Sequence, residues 1–258
     1  MQVVCLFSSG SMCYNIAIYR TKEELEKRFD ASFEKTEQYQ PFYHVSSFSL
    51  PEVPVITNKN PDSIQLFTWG LIPFWVKSRE DAEALRVRTM NARGETIYEK
   101  PSFRNAAKKQ HCLVLVNGFY EWRSFQGKNY PYYISLQDEE LFALAGLWEG
   151  WQDPVSEELI YSFSVVTTEA NPLMAQVHNK KKRMPVILPR PLERMWIDNE
   201  VTFDQMKELL VPFEEAKMQV YTISRLITAR DKDSNVPEVL QEYQYTELPP
   251  LDSQQALF

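Results

Sequence analysis

The sequence predicts a single α+β domain whose sheet meanders or closes into a barrel, with helices at its flanks. Four β-rich runs, Cys112–Trp122, Tyr130–Leu136, Leu141–Trp151 and Leu159–Thr167, dominate the second half and are separated by polar linkers. Helical signals fall before and after this block. No internal repeat or strong linker divides the 258 residues, which suffice for one sizeable core.

The elements follow in order. Cys13–Tyr19 reads as a strand, and Thr21-Lys-Glu-Glu24 has the capping-box pattern for a helix running to about Phe33. Gln38–Asn60, rich in Pro, Ser and aromatics, reads as irregular loop with short extended pieces. Ile64–Leu71 is strand-like until Pro73 breaks it. Glu80–Arg86 predicts a short helix, and Arg93–Lys109 has helical composition interrupted by Pro101. After the β block, Asn171-Pro172 opens a short helix to Val177, because a proline at the first helical position needs no N–H. Met184–Leu188 is a short apolar run, followed by helices at Leu192–Ile197 and Phe203–Leu210 and a strand at Gln219–Ile223. The tail Tyr245–Phe258 reads as loosely ordered.

Composition narrows the function classes. Hydrophobic content of 44 % and aromatic content of 13 % fit a globular chain. No apolar stretch nears the ~20 residues that span a bilayer. Cys5, Cys13 and Cys112 are too few and too scattered for a disulfide framework or a zinc site, so a reducing cytoplasm is expected and neither metal nor cofactor is implied. The net charge of −7 argues against a surface coated for nucleic acid, although a local basic cleft decides phosphate binding.

Five places carry chemistry. Cys13 follows the internal Met12, and Met1–Ser11 lacks the basic and apolar regions of a signal peptide. Residues 1–11 are therefore expected to be a leader or a mis-assigned start. Translation from Met12 and loss of that methionine would leave Cys13 with a free α-amine beside its thiol. Such an aminothiol condenses with aldehydes to a thiazolidine, the amine being partly neutral at physiological pH. The plain alternative is a small buried cysteine at a strand start.

Asn91-Ala-Arg93-Gly-Glu95-Thr96, with Arg86 and Arg88 upstream, offers either a helix cap or an amide and guanidiniums for a phosphate backbone. In Asn117-Gly-Phe-Tyr-Glu121-Trp122, Glu121 sits among aromatics. It is either a desolvated carboxylate holding a proton near neutrality or an outward-facing strand residue. His178 opens a basic cluster through Arg183, where repulsion favours the neutral imidazole, although a run of lysines also suits a solvated loop. His111, before an apolar strand, reads as structural. Trp69-Gly-Leu-Ile-Pro-Phe-Trp75 either folds back on the core or stacks on unpaired bases.

Taken in order, Met12-Cys13, Trp69–Trp75, Asn91–Thr96, Gly118–Trp122 and His178…Arg183-Met-Pro-Val-Ile-Leu188 resemble the SRAP family. These are the SOS-response-associated-peptidase-like proteins that cross-link to abasic sites in single-stranded DNA. The resemblance implies a mixed, barrel-like sheet with flanking helices over residues 12–240, leaving 241–258 as a tail. It implies Cys13 as N-terminal nucleophile, with Asn91 orienting the amine or sugar, Glu121 shuttling protons and His178 assisting ring opening. It further implies Arg93, Arg88, Lys182, Arg183, Trp69 and Trp75 as DNA contacts. Single-stranded DNA containing abasic sites is the expected partner, for a monomer that is nucleoid-associated in a bacterium and open to replication-fork proteins. Abasic-site lyase and cysteine-peptidase activity also fall within the family's range. This chain has Tyr14-Asn15 where the family has Gly-Arg, and Asn179–Lys182 separates His178 from the Arg-Met-Pro triplet.

Two rival readings use the same residues. A cysteine peptidase would take Cys13 as thiolate, His178 as base and Glu121 as orienting group, with removal of its own leader as the simplest reaction. A non-catalytic single-strand-binding module would need only Arg93, Lys180–Arg183 and the tryptophans.

Overall fold

A computed structural model describes residues 14–34, 38–229 and 231–252. In chain order the first half contains β1 (Asn15–Ile18), α1 (Lys22–Phe29), β2 (Ser32–Phe33), β3 (Phe42–Ser46), β4 (Glu52–Thr57), β5 (Ser63–Trp69), α2 (Arg79–Arg86), β6 (Asn91–Arg93), α3 (Ala106–Lys109) and β7 (His111–Val116). The second half adds β8 (Gly118–Phe125), β9 (Lys128–Leu136), β10 (Phe142–Gln152), β11 (Leu159–Glu169), α4 (Pro172–Val177), β12 (Arg183–Pro185), β13 (Ile187–Leu188), α5 (Glu193–Trp196), α6 (Phe203–Glu208) and β14 (Met218–Thr222).

These elements form the α+β domain that the sequence predicts. Strands β5, β4, β7, β10 and β11 pair in that order, and β11 then returns parallel to β5 through Ser162↔Thr68 and Phe163↔Trp69. That last pairing closes a five-stranded barrel and removes its free edges. A second, five-stranded sheet runs β14-β9-β8-β1-β3. Alternate residues of the barrel strands serve two cores, because successive side chains point to opposite faces. Val114, Leu144 and Val165 join Ile16, Phe119 and Ile134 of the second sheet and Val177 of α4. Leu113, Ala143 and Val166 instead pack with Leu25 and Phe29 of α1, Trp196 of α5 and Met206 of α6.

Local chemistry sets the element ends. Thr21 and Glu24 form the predicted capping box, and α1 stops at Asp30 in a left-handed conformation, short of the expected Phe33. Asn171 caps α4 by accepting from Met174 N at 2.8 Å, with Pro172 at the first turn.

The short extended pieces expected within Gln38–Asn60 are β3 and β4, and β4 lies inside the barrel between β5 and β7. Three expectations are corrected. Arg93–Lys109 is helical only at α3, because Asn91–Arg93 is drawn into parallel pairing with β11. Cys112–Trp122 is two strands rather than one. Asn117 separates them: its Oδ1 accepts from Tyr19 N at 2.8 Å and its Nδ2 donates to Glu140 O at 2.5 Å, turning the chain from barrel to second sheet. The tail is packed as far as Asp252, with Leu251 only 1 % exposed in the core shared by barrel and second sheet. No helix among the described residues is long and apolar enough to cross a membrane.

Candidate active site

Glu121 is built into the site by strand alternation. On β8, Tyr120 faces one cluster with Tyr133 and Ile223, while Phe119 and Glu121 face the opposite way, toward the core shared with the barrel. Its side chain is buried, and among the described residues Oε1 accepts no hydrogen bond. Burial pushes its carboxyl well above the ordinary carboxylate range, opposed by the backbone N–H of Trp122. Burial therefore favours the protonated form of this group.

His178 stands at the C-cap of α4 and is buried beside Glu121, Nδ1 lying 4.0 Å from Glu121 Oε1. The same Nδ1 is 2.8 Å from the carbonyl oxygen of Arg183. A carbonyl only accepts, so Nδ1 carries a hydrogen, which in the neutral tautomer places the lone pair on Nε2. The lysines of residues 179–182 are thus an excursion that returns Arg183 to the histidine it seemed separated from.

Arg183, expected as a DNA contact, is turned largely inward. It is 9 % exposed, and its guanidinium is engaged bidentately by Glu95, at 2.6 and 2.9 Å, and donates to Thr167 O at 2.8 Å. This pair ties the segment after β6 to β12. It also fixes Asn91, which is buried at the start of β6 opposite Val165 of β11. Met90, just before it, accepts from Trp69 Nε1 at 2.8 Å through its carbonyl, and its sulfur receives the Ser47 hydroxyl at 3.0 Å. Ser47 N in turn donates to Tyr14 O at 2.8 Å, so the Asn91 strand is linked to the entry of β1.

Trp69 corrects a second expected DNA contact. It is fully buried, stacked against Phe163 at 5.8 Å between ring centroids, and unable to reach a base. The chain turns immediately after it at Gly70, whose φ of 110° a side chain would strain and whose Cβ would stand 2.9 Å from Arg86 O. The exposed aromatics of this loop are Phe74 and Trp75, 57 % and 45 % exposed. Trp75 shares a shallow hollow with Lys77, Leu85 and Arg88. Arg88, Arg93 and Lys182 are all exposed. Cys13 lies outside the described residues, as does the 1–11 segment.

Glu95 is the residue that sequence reading passed over, although it stands inside the quoted Asn91–Thr96 motif. Its partner is 88 positions away, and nothing local signals it.

The model of the SOS response associated peptidase (SRAP) family matches residues 12–230. The chain belongs to the SRAP family. It is similar to the abasic site processing protein YoaM of Bacillus subtilis, 33 % identical over 226 residues that cover 86 % of this chain and 96 % of YoaM. It is also similar to the abasic site processing protein HMCES of Xenopus tropicalis, 30 % identical over 80 % of this chain and 67 % of that protein. A crystal structure of a protein from Bacteroides thetaiotaomicron superimposes with a TM-score of 0.85 at 35 % identity, covering 90 % of this chain and all of that one. The SRAP fold of this chain thus agrees with the barrel and second sheet described above.

Proposed function

We propose that this SRAP protein processes abasic sites in single-stranded DNA by joining Cys13 to them covalently. The observation that carries the reading is the buried Glu121–His178 pair beside the entry of β1. Asn15 pairs with Tyr120, the neighbour of Glu121, so the chain enters β1 alongside this pair. Relatives bearing the name abasic site processing protein support the substrate class.

The chemistry follows from those groups. The Cys13 α-amine adds to the aldehyde carbon of the ring-opened sugar, forming a C–N bond and, after proton transfer, a carbinolamine. Glu121, whose protonated form burial favours, gives its proton to the departing hydroxyl, which leaves as water and yields the protonated imine, its N–H retained. The Glu121 carboxylate then recovers a proton from the thiol as sulfur adds to the imine carbon and closes the thiazolidine. His178 takes the proton of the sugar's anomeric hydroxyl and returns it to the ring oxygen as the ring C–O bond breaks, and Asn91 orients the sugar. The exposed Arg88, Arg93 and Lys182 hold phosphates, and Trp75 stacks on a base.

Incubation of protein starting at Cys13 with a single-stranded oligonucleotide carrying one abasic site tests this on a denaturing gel. A heat-stable band absent from Cys13→Ala and from the Met1 form is the expected result. No band from any folded form would replace this reading with a peptidase or a non-catalytic binding module.

A further inference from the structure

The loop between β5 and α2 is fastened to the barrel at every second residue. Gly70 N donates to Phe163 O at 2.9 Å, Ile72 N to Ser162 Oγ at 2.8 Å and Phe74 N to Glu149 Oε2 at 3.2 Å, while Val76 O accepts from Trp151 Nε1 at 2.8 Å. All four partners lie on β10 or β11. The third anchor differs from the others in being ionisable, and it sits under the exposed tip. Glu149 is 2 % exposed, and its second oxygen accepts from Asn105 Nδ2 at 3.0 Å. Asn105 belongs to the segment on which the Trp75 indole rests, Nε1 donating to Pro101 O at 3.3 Å. One carboxylate therefore holds both supports of Trp75: the backbone just before it and the segment beneath its ring.

A buried acid so placed carries a desolvation cost that an apolar residue would avoid. A rigid aromatic tip is what offsets it. The loop and the proposed site share β11, since Trp69, which opens the loop, pairs with Phe163 and Asn91 pairs with Val165 two residues further on. We infer that Glu149 is a positioning residue, which pre-sets Phe74 and Trp75 as the platform on which an unpaired base stacks. This rests on the single-stranded-DNA reading above. Fixing the platform before binding removes the ordering cost that a mobile aromatic would incur on association.

The test exploits donor counting. Glu149→Gln keeps the shape but leaves one acceptor oxygen for two donors. Asn105→Asp on that background converts the second donor to an acceptor, so the amide oxygen accepts from Phe74 N as before while the amide nitrogen donates to the new carboxylate, and both bonds return with only the second reversed in polarity. Hydrogen exchange of the Phe74 amide reads the clamp without DNA, and anisotropy of a labelled single strand carrying an abasic site reads its use. Expected are faster exchange and about tenfold weaker binding for Glu149→Gln, with the saturated cross-linking rate unchanged and both losses reversed in the double variant. Asn105→Ala, which removes one bond only, serves if Glu149→Gln does not fold. It is expected to give a smaller loss of the same kind. Binding left untouched by a faster-exchanging Phe74 amide, or not restored in the double variant, overturns the assignment of Glu149. Absence of binding by the unmodified protein overturns the DNA reading itself, and this inference with it.

Discussion

Replacing Glu121 by glutamine should change how the stability of the fold depends on pH. In the unfolded chain the Glu121 carboxyl titrates near its usual 4.5, whereas burial in the fold raises it well above that value. Between those two values the folded state keeps a proton that the unfolded state has lost, so stability falls as pH rises. One such site imposes a slope of as much as about 1.4 kcal/mol per pH unit across that window. Glu121→Gln abolishes this slope. The buried amide brings its own cost, about 1–3 kcal/mol where a donor finds no partner, but that offset does not vary with pH. Glu149 and Glu193, also raised by burial, are present in both proteins and cancel in the comparison. Urea unfolding of both forms at a series of pH values rising from 4.5 would therefore show the variant gaining on the wild type until the folded carboxyl itself ionises. Parallel stability curves for the two proteins would refute the assignment of Glu121 as a proton-holding acid. Cross-linking by the variant should meanwhile slow by roughly 10²–10⁴-fold, the loss expected when a positioned acid is removed.

The two tryptophans that open and close one loop should part company. Trp69→Phe loses the bond to Met90 O and part of a filled core, costing about 1–3 kcal/mol in chemical denaturation. Trp75→Ala should leave stability within about 0.5 kcal/mol while weakening single-strand affinity by about 1–3 kcal/mol, and equal effects in both assays would contradict the loop geometry. Arg183→Lys exchanges a bidentate guanidinium for a point charge and should destabilise by about 1–3 kcal/mol, read as a lower urea midpoint. DNA affinity should fall steeply with salt, and Arg93→Ala should reduce the log–log slope by about one. An unchanged slope would remove Arg93 from the phosphate contacts.

What the sequence conveyed was whatever is decided within a few residues. Thr21 and Glu24 start α1, Asn171-Pro172 starts α4, and the four β-rich runs become β7 to β11. What it withheld depends on partners far along the chain. Asn117 breaks a continuous apolar run only because Tyr19, 98 positions earlier, meets its side chain. Arg93 opens the stretch of helical composition, and Asn91–Arg93 becomes strand because β11 runs on past its pairing with β5 and accepts it there. At the site, Glu121 and His178 were singled out from their surroundings and are brought together, whereas Trp69 and Arg183 were assigned outward roles. Their residue types suit DNA equally well. Only the turn at Gly70 and the carboxylate of Glu95 direct them inward.

The parallel closure of β11 on β5 also dictates when this molecule becomes competent during synthesis. The Ile72–Ser162 bond at the barrel seam joins groups 90 positions apart, and Asn91, made early, has its strand partner only on β11. A nascent chain that has just finished β10 carries an open sheet with two unpaired edges, the condition in which strands find wrong neighbours. The Glu121–His178 pair does not yet exist, since His178 follows still later. The groups proposed to assist the covalent chemistry are thereby assembled only after β11 and α4 have been made, and the fold forms at the slower pace of distant contacts.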